Sequence, residues 1–176
     1  MAFTTGNDIN ILQSSDTGVV SAGAGTDRYV LDASVLTAGQ AITISDTGSN
    51  TLQLTGGLVI TSSLVSNDAL QLTLSNGAVI TVLGASNFSF QTGGNAISGT
   101  GGTIQTYSAF VTSSLGVAAG VPAAGAPAAS GGTVTINPTG GTGPVAPVGP
   151  VFSVAASATS VIEGASATFT VSLSAA

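Results

Sequence analysis

The stretch "AITISDTGSNTLQLTGGLVITSSLVSNDALQLTLSNGAVITVLGASNFSF", Ala41–Phe90, decides the fold class. In "AITIS", "TLQL", "ALQLTLS", "AVITVL" and "FSF" apolar residues alternate with small polar ones, the period-2 pattern of strands with one buried face. Between the runs stand "DTGSN" at 46–50, "TGG" at 55–57, "SND" at 66–68 and "SNG" at 75–77. These are clusters of residues that favour turns. Leu70–Val82 is the clearest hairpin, with Asn76-Gly77 expected to supply the positive φ angles of a two-residue turn. The expected core is Ile42, Ile44, Leu52, Leu54, Leu72, Leu74, Val79, Val82, Phe88 and Phe90. No amphipathic helix is legible, and Val35–Gly39 has the length of a single helical turn.

N-terminal to this stretch, Asp8, Asp27 and Asp46 recur at intervals of 19 residues, each in a turn-like context followed by an apolar run. Two strands and two turns take roughly that length, so the spacing fits a β-solenoid or β-roll with stacked aspartate turns. Coincidence among six aspartates gives the same spacing, and a sandwich is the other all-β arrangement. The expectation is a strand-rich β domain over 1–115.

Composition changes after Leu115. Residues 116–150 are dominated by Gly, Ala, Pro and Val and read as a linker with one strand candidate, "GTVTIN" at 132–137. Clean alternation returns in 151–176, where two strands bracket a turn at Glu163–Ser166. Two strands do not bury an independent core in water. They are expected to continue into a larger module or to add to the sheet edge of another copy.

Composition also excludes functions. The chain has no cysteine and no histidine, which removes thiolate and imidazole metal sites, disulfides, and Cys or His catalysis. Serines are plentiful, but neither His nor Lys is present to activate one. The single arginine, Arg28, and the net charge of −6 do not suit nucleic-acid binding, which needs many cations. No run of about 18 apolar residues spans a bilayer. The start, "MAFTTGNDIN", lacks the basic and apolar regions of a secretory signal peptide. Six aspartates and one glutamate leave calcium, which prefers oxygen ligands, as the expected ion. The competing role for these aspartates is turn capping through backbone N–H groups.

"GAGTDRY" resembles the nonapeptide repeat of RTX-type (haemolysin-type) calcium-binding proteins. Gly23, Gly25, Asp27 and the apolar Tyr29 match its positions, while Ala22 stands where a further glycine is usual. "TGNDINI" is a poorer copy. The resemblance covers about residues 5–95. It implies a calcium site using Asp27 with Asp8 and Asp46 and the Gly23 and Gly25 turn, and type I secretion, which needs no N-terminal signal peptide. "VIEGASATFTVSLS" is similar to the opening of a Calx-β module, an Ig-like sandwich. The expectation is a non-enzymatic extracellular or cell-surface structural protein. It self-assembles through strand edges into a filament, sheath or layer, and the alternative is a monomeric calcium-stabilised adhesin spacer or binding module.

Overall fold

The structure, a computed structural model, describes residues 5–117, 121–123 and 125–136, and the backbone of strands 152–156 and 169–173. The chain is all-β apart from short helical turns. It divides into two units, Met1–Gly143 and Pro144–Ala176, so the division falls within the segment read as a linker.

In the first unit the chain alternates between two sheets. Strands β1 (Ile9–Ile11), β3 (Arg28–Leu31), β5 (Thr51–Leu54) and β9 (Ser89–Thr92) lie parallel in sheet one. Strands β2 (Gly18–Val20), β4 (Ala41–Ser45) and β8 (Val79–Leu83) lie parallel in sheet two. Between β5 and β8 the hairpin β6 (Val59–Val65) and β7 (Ala69–Leu74) extends sheet two in antiparallel pairing. β10 (Thr103–Thr106) pairs antiparallel with β9 and ends sheet one. β11 (Ala129–Gly131) and β12 (Val134–Thr135) both pair with β6.

Period-2 alternation explains this arrangement. In sheet one Tyr29, Leu31, Leu52, Leu54 and Phe90 are buried, and in sheet two Ile42, Ile44, Leu72, Leu74, Ile80 and Val82 are. All belong to one apolar cluster. Val79 departs from the expected core: it is only half-buried. Ala78, Ile80 and Val82 hold the inner face, and alternation sends Val79 to the other one. The hairpin turn also differs. Only Gly77 takes a positive φ, of 83°, and Gly77 N–H donates to Leu74 O at 2.8 Å. Asn76 keeps a negative φ, and its side chain donates to Ala33 O and Leu36 O.

A helical turn that alternation did not reveal follows β10. α1 (Tyr107–Ala109) continues as a π turn over Phe110–Ser114, with the Thr106 hydroxyl accepting from Ala109 N–H. Tyr107, Phe110, Val111 and Leu115 are buried at helical spacing. Phe110 stacks on Phe90 at 4.6 Å between ring centroids.

Part of the Gly/Ala/Pro-rich segment is ordered on the first unit. Ile136 is buried and its N–H donates to Leu58 O at 2.8 Å. β11 passes close enough that a Cβ at Gly131 meets Ser63 Oγ at 2.4 Å. "GTVTIN" thus contributes β12 to an edge of its own chain. In the second unit β13 (Phe152–Ala156) and β14 (Phe169–Leu173) pair antiparallel, with Val154 opposite Val171. The turn expected at Glu163–Ser166 lies outside the described residues.

Candidate metal centre

Three tripeptides enter successive strands of sheet one: Gly6-Asn7-Asp8 before β1, Gly25-Thr26-Asp27 before β3, and Gly48-Ser49-Asn50 before β5. They stack. Asp8 N–H donates to Asp27 Oδ1 at 2.8 Å across 19 residues, and Asp27 N–H donates to Asn50 Oδ1 at 2.8 Å across 23. Thr26 N–H donates to Asn7 Oδ1, Arg28 N–H to Asp8 O and Thr51 N–H to Asp27 O. The glycines let the turns meet backbone to backbone. A Cβ on Gly25 lies 2.4 Å from Gly6 O, and one on Gly48 lies 2.5 Å from Gly25 O.

Of the expected ligands, Asp8 and Asp27 come together and Asp46 does not join them in the stack. Its expected place is taken by Asn50, because the second interval is 23 residues rather than 19. Asp46 instead follows β4 and is surrounded by donors. Its Oδ2 accepts from the Tyr29 hydroxyl and from Ala22 N–H, and its Oδ1 from Ser21 Oγ and Thr47 N–H. Burial pushes the Asp46 carboxyl up, but these four donors together hold it below its ordinary value. Burial, reinforced by the bond to Asp46, raises the Tyr29 hydroxyl far above its ordinary range.

Asp27 is 1 % exposed. Its Oδ1 is taken by Asp8 N–H, while Oδ2 is buried without a hydrogen-bond partner. Gly23 and Gly25 both have positive φ, of 102° and 142°, so the bend expected at this glycine pair is present. Arg28 points elsewhere: its guanidinium donates to Ile97 O.

Calcium takes six to eight oxygens. Asp27 Oδ2 is an open carboxylate oxygen here, whereas both oxygens of Asp46 are already bonded. The fit to calcium is therefore partial, and any ion held by Asp27 and Asp8 draws its remaining ligands from turn carbonyls or water. Among the described residues no group of three or more carboxylates converges on one point.

Sequence reasoning missed the amides that tie one turn of chain to the next. Gln40 Nε2 donates to Gln13 O, Gln53 Nε2 to Gly93 O and Asn95 O, and Gln91 Nε2 to Gly99 O. The tripeptide of Gly, any residue, then Asp or Asn at 6–8, 25–27 and 48–50 was the available signal for the stack. It needs an unequal repeat length to be seen. No family model, curated protein or solved structure matches the chain.

Proposed function

We propose that this chain is a non-enzymatic structural protein of the cell exterior, RTX-like in its first unit, which associates with copies of itself through strand edges. In this reading the first unit is a β-roll-type solenoid, supported by parallel ladders that alternate between two sheets. One observation carries the self-association. β1 and β2, the two strands of the first coil, each stand at the end of their sheet's strand order. Both are uncharged, and Ile9 and Val19 on them are 46 % and 71 % exposed. Although each edge strand is only three residues long, neither carries the Lys, Pro or inward charge that commonly blocks an edge from pairing with another chain. The depression of about 350 Å³ beside these strands holds one carboxylate, Asp16, too little for acid–base chemistry that needs a pair.

Sedimentation velocity and negative-stain imaging of the full chain test it. Species growing with protein concentration are expected, and a monomer at every concentration refutes self-association.

The buried, unpartnered Asp27 Oδ2 favours a second reading, a calcium-stabilised monomeric spacer or adhesin arm. Calorimetric titration with calcium separates the two. Under the spacer reading the chain binds calcium, loses binding with Asp27→Asn, and stays monomeric.

A further inference from the structure

The outer faces of the two sheets are treated differently. Over sheet one lies the loop 93–102, whose backbone carbonyls receive Arg28, Gln53 and Gln91. Among the described residues no hydrogen bond ties a loop to the side chains of sheet two's outer row: Gln71 Nε2 donates to Thr81 Oγ1 within it, and Ala128 lies beside it. An unbroken row crosses its outer face in register: Val19, Thr43, Thr81, Gln71, Leu64 and Ser130. Within the row Val19 is 71 % and Leu64 49 % exposed, and Leu83 beside it is 43 % exposed. No strand of sheet two carries a charged residue. Five of the six aspartates are partly or fully exposed in turns and loops, and Asp27 is buried in the sheet-one stack, so the exposed negative charge lies on the turns at the rim and the face is neutral.

We infer that this outer face of sheet two packs against the same face of a second copy, as a lateral contact distinct from the strand edges. The inference rests on the self-association proposed above and names a second surface for it. Charge selects the occupant. Copies with a net charge of −6 repel wherever their rims meet, and burying an unpaired carboxylate is costly. A face without carboxylates meets its own copy at neither cost. Its side chains are of a kind that lets two sheets approach to about 10 Å.

Size agrees with a weak contact. Six strands about 4.8 Å apart and five residues of about 3.3 Å make a plane of about 24 by 16 Å. Two such planes give roughly 800 Å² before side-chain relief is added, near the lower bound of about 1,000 Å² for a specific interface. A shallow depression of about 190 Å³ lined by Leu64, Ala69, Gln71 and Thr81 adjoins Leu83, which pairs with Ala69 across β7 and β8.

The test compares the full chain with Thr81→Lys, Gln71→Lys and, as a control off this face, Ser108→Lys, each checked for an unchanged β circular dichroism spectrum. Sedimentation and negative-stain imaging are expected to show lateral association weakened at least tenfold by either face variant, while end-to-end growth persists. Ser108→Lys is expected to behave as wild type. Wild-type lateral association in both face variants overturns this inference and leaves edge-mediated association standing. A wild-type chain that stays monomeric removes both.

Discussion

Gly25 sits where two turns touch through their backbones. Its φ is +142°, and a Cβ there meets Gly6 O at 2.4 Å and Gly6 C at 2.9 Å. Neither atom is the movable end of a side chain, so the stack must separate to admit an alanine. Gly25→Ala is expected to destabilise the first unit by more than about 2 kcal/mol in denaturant unfolding. Gly39→Ala is the comparison, since Gly39 has φ +72° and nothing within 4 Å; its cost is expected near the ~1 kcal/mol of a left-handed backbone alone. Equal costs at the two positions contradict the close contact. The same stack explains why Asp27 accepts a backbone N–H through one oxygen: Asp8 N–H, at the preceding turn, has Asp27 Oδ1 as its acceptor.

The loop 93–102 shows how a polar segment becomes fixed structure. Gln53 is fully buried and Gln91 is 2 % exposed, positions where a side-chain amide N–H ordinarily finds a hydrogen-bond acceptor. Their Nε2 groups meet the carbonyls of Gly93, Asn95 and Gly99. Asn95 Oδ1 also accepts from Ile97 and Ser98 N–H, which shapes the loop's first bend. Gln91→Leu retains volume but strands the loop carbonyls, at a cost of about 1–3 kcal/mol. Hydrogen exchange of the amides at 95–101 is expected to accelerate in this variant while those of β5 and β9 stay protected. Unchanged exchange at 95–101 rules out Gln91 as the loop's anchor.

Across the first unit as a whole, ionisable groups set the pH range of stability. Asp46 has a folded pKa below its ordinary 3.8, so its stabilisation is complete above that value and is lost as pH falls through the lower folded one. Tyr29 and Tyr107 work at the other end. Burial raises both above their ordinary 10.0, helped by Asp46 for Tyr29 and by Asp68 for Tyr107, which reaches about 12. Their contribution is complete below pH 10 and is lost as pH rises through the folded values. Stability is therefore expected to be level between these limits and to fall on either side. Tyr29→Phe removes a donor from Asp46, so the folded pKa of Asp46 is expected to rise, which shrinks the acid limb, and the alkaline limb is expected to shrink with the loss of the Tyr29 hydroxyl. Chemical denaturation across pH checks this, and an acid limb identical to wild type contradicts the Tyr29–Asp46 link.

Strand content and the inward face were legible in Ala41–Phe90 because alternation is a local property: each side chain's face follows from its neighbours in the chain. Asp8 and Asp27 could be matched at 19 residues for the same reason, since one complete turn of chain lay between them. The pairing of Asp27 with Asn50 instead of Asp46 was not legible, because the second turn of chain is four residues longer and the stack needs only a hydrogen-bond acceptor there, not a charge. Phe110 and Val111 show the same limit. Their helical spacing extends over barely two turns, and what holds it is the stacking of Phe110 on Phe90, twenty residues away. Whether a turn aspartate binds backbone, tyrosine or ion depends on which strand lies beside it. That neighbour is chosen by the packing of both sheets around one core, which no local pattern encodes.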